Sequence, residues 1–127
     1  MIVADTDVLI DALRGREPAR ARIAAALAEG QLATTTVTAF ELRSSTDSDH
    51  MRDAVEQLLA PLTILPFDDA AASHAARARR ALEAPGSPIG IANYMIAGIC
   101  LARSVALLTR DRALYGRVAG LVLVELL

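Results

Sequence analysis

Met1-Ile-Val-Ala-Asp5-Thr6-Asp7-Val8-Leu9-Ile10 opens the chain. Its apolar run stops in an acid, a hydroxyl and a second acid. Apolar residues then return at helical spacing, at Val8, Leu9, Ala12 and Leu13. A short apolar run bounded in this way reads as a buried strand followed by a helix. Asp5 therefore falls at the carboxyl end of a strand. In open α/β sheets that edge gathers ligands and reacting groups, so the positions of the other acids relative to their strands carry the functional reading.

Outward from this stretch, residues 7–14 predict a short helix closed by Gly15, and Glu17-Pro18 starts a second that runs to Gly30. Leu32-Ala-Thr-Thr-Thr-Val37 is rich in β-branched residues and predicts a second strand. Thr38 and Glu41 match a capping box, which would put Glu41 in the first turn of the next helix; capping alone is a sufficient role for it. Met51, Val55, Leu58 and Leu59 mark an amphipathic helix stopped at Pro61. Leu62 to Phe67 predicts a third strand, placed at a sheet edge by Pro66. Asp68 and Asp69 precede the helix 70–82, where capping explains them. Ser87-Pro88 reads as N-cap and first residue of a long helix to about Arg103, with Gly90, Asn93, Ala97 and Cys100 on one stripe. Val105 to Thr109 is a fourth strand, with Arg110-Asp111 at its carboxyl end. A short helix, 113–118, leads to a fifth strand, 121–127, whose near-continuous apolar character predicts burial on both faces. The order βα(α)βα(α)βααβαβ predicts an α/β fold, a mostly parallel five-stranded sheet between two helical layers. Residues 1–127 are expected to form one domain.

Composition narrows the function. The 127 residues hold 54% hydrophobic side chains, a net charge of −2, and thirteen basic residues that are all Arg. With no Lys, any mechanism that requires one is excluded. Two Tyr, two Phe and no Trp argue against a base-stacking platform. No apolar stretch reaches the roughly 18 residues that a membrane span needs. The opening residues lack the basic start of a secretory leader. Cys100 is the single cysteine, so no internal disulfide forms and a reducing, cytoplasmic setting is expected. It sits with no neighbouring base and reads as a small buried hydrophobe. His50 and His74 stand alone on helices.

Asp5, Glu41 and Asp111 each follow a strand at its carboxyl end, and Asn93 lies near the start of the helix before the fourth strand. Carboxylates gathered at one edge repel each other unless a cation sits among them. Oxygen-only donors suit Mg²⁺ or Mn²⁺, and no His or Cys stands at zinc spacing. A cation so held activates water and stabilises charge on a phosphoryl oxygen, the chemistry of phosphodiester hydrolysis.

These stretches carry a family resemblance. Residues 2–11 (Ile-Val-Ala-Asp5-Thr-Asp-Val-Leu-Ile-Asp) resemble the first motif of PIN-domain ribonucleases, and in particular of the VapC toxins of bacterial toxin–antitoxin pairs. Thr36-Val-Thr-Ala-Phe-Glu41-Leu resembles the second motif. Pro88-Ile-Gly-Ile-Ala-Asn93-Tyr-Met-Ile-Ala-Gly resembles the third, and Leu107-Leu-Thr109-Arg-Asp111 the fourth. All four come in order and span nearly the whole chain. The resemblance implies a PIN-like three-layer fold. It also implies a Mg²⁺- or Mn²⁺-dependent endoribonuclease with catalytic and metal-holding residues at 5, 41, 93 and 111. Its expected substrate is RNA of the tRNA or rRNA class. The implied partners are a VapB-like antitoxin, a second copy of the chain, and operator DNA reached only through the antitoxin.

The third motif departs from the pattern, because the acid expected at 93 is Asn. Asn keeps the shape and one carbonyl acceptor but loses the charge, which predicts weaker metal binding and reduced cleavage. Two origins fit: an inactivating Asp→Asn change that lets a toxic nuclease be produced, or a naturally attenuated homologue. Two other functions compete. One is a non-catalytic PIN-like module that binds RNA or antitoxin. The other is a phosphatase of the haloacid-dehalogenase type with Asp5 as nucleophile and Asp7 as acid, although that class normally uses a Lys. An RNA groove needs local positive charge, and Arg14, Arg16, Arg43, Arg110 and Arg112 flank the acids in sequence; Arg14, Arg43, Arg110 and Arg112 are the expected RNA contacts.

Overall fold

The computed structural model describes residues 1–127. It runs β1 (Ile2–Ala4), α1 (Thr6–Leu13), α2 (Ala19–Ala28), β2 (Leu32–Thr35), α3 (Thr36–Ser44), α4 (Asp49–Leu59), β3 (Thr63–Leu65), α5 (Asp69–Glu83), α6 (Ile91–Arg103), β4 (Ala106–Leu108), α7 (Arg112–Tyr115) and β5 (Leu123–Val124). The five strands form one parallel sheet in the order β3-β2-β1-β4-β5. The α/β class, the element order and the edge position of β3 agree with the expectations.

Alternation along each strand sends neighbouring side chains to opposite faces. Val3, Ala33, Leu65 and Leu107 join the core beneath α5 and α6. Ala4, Leu32 and Leu108 join the core beneath α1 to α4. These strands are only two to four residues long, so each gives about one side chain to each face. The helices supply the rest. Thr34 is fully buried in β2 because its hydroxyl donates to the Ala4 carbonyl across the strand pair (2.9 Å).

Several boundaries differ from the sequence reading; α7 ends at Tyr115 rather than 118, β3 is trimmed to Thr63–Leu65, and three further differences have a physical reason. α3 begins a turn early: Thr35, in extended backbone, is its N-cap and accepts from the Thr38 N–H. Thr38 is therefore not the cap, there is no Thr38–Glu41 box, and Glu41 falls in the second turn. α6 begins after Gly90 rather than at Pro88. The preceding loop is held by the Ile89 N–H, which donates to the buried Tyr94 hydroxyl (3.0 Å). β5 pairs only through Leu123 and Val124 and is half-buried rather than covered on both faces, because it is an edge strand with β4 on one side alone.

Candidate active site

Strand order reverses on either side of β1. β2 and β3 lie to one side, β4 and β5 to the other. Ligand crevices in open α/β sheets form where order reverses, at the carboxyl ends of the strands. Asp5 sits at that point. Its N–H donates to the Leu108 carbonyl of β4 (2.9 Å), which holds the turn out of β1 against its new neighbour.

Asp5 is 5% exposed, and three groups donate to its side chain. Oδ1 accepts from the Thr6 N–H (2.8 Å) and faces the Tyr115 hydroxyl (3.3 Å). Oδ2 accepts from the Thr109 hydroxyl (2.9 Å). No guanidinium touches it. Burial raises its pKa from 3.8 to about 6, the three donors pull it back in part, and Asp7 adds a further push upward. Desolvation wins because hydrogen bonds alone replace bulk water here.

Asn93 lies at the third position of α6, and its Oδ1 is 3.1 Å from the same Tyr115 hydroxyl. Tyr115 thus spans the two motif residues. It is 1% exposed, and burial beside the Asp5 carboxylate keeps its phenol protonated. The sequence reading missed Tyr115. Its only local signal is a lone aromatic one turn into the helix after Asp111, and packing alone would explain that.

Glu41 is fixed from the other side. Its Oε1 accepts from the Thr6 hydroxyl (2.7 Å). Thr35, Thr38 and Thr6 stand in line behind it, at 3.3 and 3.0 Å. One consistent direction of donation runs through all three hydroxyls and ends on the carboxylate. Asp111 is used differently. It is the N-cap of α7, where Oδ1 accepts from the Leu114 N–H, while its own N–H donates to Thr109. No three Asp, Glu, His or Cys side chains gather closely enough to hold an ion by themselves. Asn93, neutral where the third motif has an acid, leaves one carboxylate fewer at this edge. The donor set is nonetheless all oxygen, and the buried Asp5 has no cationic partner within the chain. Both features fit a hard divalent cation.

Arg110 pairs with Asp11 (2.8 Å) and approaches Asp7 (3.9 Å). Arg43 pairs with Glu56 and Arg112 with Glu125. Arg14 makes no ion pair and lines a groove between α1, α3 and α4 with Ile10, Leu13, Leu42, Met51 and Val55. Arg16 lies 3.8 Å from Asp11. A second apolar groove runs beside Glu41 past Val37, Phe40, Ile91 and Met95, with Phe40 69% and Ile91 50% exposed. Cys100 is buried, and its thiol is pushed up to about 12 by desolvation and by Asp5, which agrees with a packing role. No helix is long and apolar enough to cross a membrane.

The chain matches the family described as PIN domain over residues 2–121. Among characterised proteins it is 29% identical to the tRNA(fMet)-specific endonuclease VapC of Shigella flexneri over 121 residues, 92% of this chain and 91% of that one. It is 34% identical to ribonuclease VapC5 of Mycobacterium tuberculosis over 115 residues, 86% of this chain and 82% of that one. Two solved structures share the fold at a TM-score of 0.87: VapBC2 from Rickettsia felis bound to a promoter DNA fragment, and DNA-bound VapBC from Salmonella typhimurium. Their identities are 20% and 24%, and each alignment covers at least 98% of both chains.

Proposed function

The chain belongs to the PIN-domain family, alongside the VapC ribonucleases, and from that premise we propose that it is the endoribonuclease toxin of a toxin–antitoxin pair, attenuated by Asn93. The observation that carries this reading is the buried Asp5 carboxylate at the switch point of the sheet, with Asn93 across Tyr115 and Glu41 held through Thr6. The haloacid-dehalogenase reading is set aside with the family membership.

Mg²⁺ or Mn²⁺ would be held by Asp5, Glu41, Asn93 and Asp111, and when bound would supply water activation and charge stabilisation on the phosphoryl group. The chain's own residues do the positioning. Thr109 and the Thr6 N–H fix the plane of the Asp5 carboxylate, and the Thr6 hydroxyl fixes Glu41. Asn93 contributes a neutral oxygen where an acid would contribute a charged one. Arg14 has no ion-pair partner and is the foremost candidate for a phosphate contact. Arg43, Arg110 and Arg112 are weaker candidates, because each already neutralises a carboxylate. The two apolar grooves are the surfaces open to an antitoxin segment and to a second copy of the chain. DNA would be reached only through the antitoxin.

A non-catalytic RNA- or antitoxin-binding domain is the second reading, favoured by the neutral side chain at 93. Paired measurements on this chain and its Asn93→Asp variant separate the two. Mn²⁺ is titrated by calorimetry, and pooled cellular RNA is tested for cleavage with and without the ion. The nuclease reading expects tighter Mn²⁺ binding and metal-dependent cutting by Asn93→Asp. Folded, antitoxin-free protein that neither binds Mn²⁺ nor cuts RNA in either form would establish the binding module instead.

A further inference from the structure

The Tyr115 hydroxyl poses a proton-counting problem. It carries one hydrogen, yet it faces two acceptors, Asp5 Oδ1 at 3.3 Å and Asn93 Oδ1 at 3.1 Å. The other end of the same amide, Asn93 Nδ2, lies toward Gly90, 3.2 Å from where a Cβ on that glycine would stand, and donates to no group of the chain. The oxygen and nitrogen of an amide have nearly the same shape, and their assignment follows from the hydrogen-bond network. Turning the Asn93 amide over gives each of the three groups that meet at Tyr115 a consistent donor and acceptor. Nδ2–H then donates to Tyr115 Oη, and Oη–H donates to Asp5 Oδ1. An aspartate at 93 has no such donor, and two carboxylates would compete for one hydroxyl hydrogen.

We propose that Tyr115 is a positioning residue matched to Asn93, and that the relay Asn93 Nδ2–H to Tyr115 Oη–H to Asp5 Oδ1 aligns the Asp5 carboxylate without a cation between residues 5 and 93. Asn93 is then more than a lost ligand. It converts a pair that needs a cation into one held by a hydroxyl. The role in cleavage rests on the nuclease reading; the relay itself does not.

The relay has a spectroscopic signature. In metal-free, ¹⁵N-labelled protein the Asn93 side-chain amide pair is identified by its loss in Asn93→Asp. Tyr115→Phe removes only the hydroxyl. The relay expects a large shift of the Asn93 pair in Tyr115→Phe and faster exchange of the bonded proton with solvent. It also expects non-additive unfolding constants: the double variant Asn93→Asp/Tyr115→Phe should fall short of the product of the single effects by about two- to ten-fold, the worth of one hydrogen bond. An unmoved amide pair, or additive effects, would overturn the relay. If Asn93→Asp does not cut RNA at all, the nuclease reading fails, and the amide resonances still decide the relay.

Discussion

Asp5 is the residue on which burial and charge conflict most sharply. Its pKa lies near 6 in the fold against an ordinary 3.8, chiefly through desolvation. That shift corresponds to roughly 3 kcal/mol against the charged form at neutral pH. The sign follows from proton linkage. The folded chain holds the proton more tightly than the unfolded one, so the stabilising contribution is complete below about pH 4 and is lost as pH rises through about 6. Asp5→Asn removes the titration. In metal-free protein the variant should gain on the parent by about 1–3 kcal/mol between roughly pH 4 and pH 7.5, read by urea unfolding. A gap that does not change with pH would mean that the carboxylate is adequately solvated in the fold. Residue 93 shows how far one side chain is legible. Its departure from the third motif is visible in the sequence, but its partner Tyr115 lies 22 residues away in an element with no motif of its own.

Elements decide where these side chains are delivered. Each of α1, α3 and α7 follows its strand within a few residues, so its N-terminus opens on the same sheet edge. Asp5, Thr35 and Asp111 are the three caps. The Thr38-x-x-Glu41 spacing misled because it sits one turn beyond the true cap, Thr35. A three-residue shift in a helix keeps the same face, and the box pattern does not distinguish adjacent turns. Ser87-Pro88 misled for a related reason. It has the chemistry of a helix start, but the buried Ile89 and its bond to Tyr94 hold the chain out of helix until Gly90. The α5–α6 pair is the tightest contact between helices: a Cβ on Gly98 would stand 2.4 Å from the Ala71 carbonyl and 2.8 Å from the Ala75 Cβ. Gly98→Ala should therefore destabilise the chain by about 1–3 kcal/mol despite the better helix propensity of alanine. Thermal unfolding checks this, and a neutral or stabilising result would show that α5 can move away at little cost. Because α6 carries Asn93, the same substitution should also perturb the Asn93 amide resonances.

Charge is a property of the whole molecule. A net charge of −2 would repel RNA if it were spread evenly, yet the fold pairs many acids with guanidiniums on the surface. Three of the four arginines expected at the RNA groove have such partners, and Arg14 does not. Arg14→Ala should weaken RNA binding and flatten its dependence on log salt by about one unit. Arg43→Ala should flatten it less, since Glu56 already draws on that charge. Equal slopes for Arg14→Ala and the parent would remove Arg14 from the interface. The topology also fixes where any ligand sits. β1 is the central strand of the order β3-β2-β1-β4-β5, and the crevice at its carboxyl end is flanked by β2, which delivers Glu41 through α3, and by β4, which delivers Thr109 and Asp111.

The sequence by itself determined the α/β class, the order of strands and helices, the acids at the strand ends and the neutral exception at 93. Those features are local: periodicity, turn chemistry and the residue that follows an apolar run are written along the chain. Only the tertiary structure decided the strand order, the use of Asp111 as the N-cap of α7, the use of Arg43, Arg110 and Arg112 in ion pairs, and the placement of Tyr115 between Asp5 and Asn93. Apart from the cap, each of these depends on contacts between elements distant in sequence. Their side chains meet because two helical layers bury their apolar faces against one short-stranded sheet, and no local pattern records which distant hydroxyl or guanidinium that packing brings beside a given carboxylate.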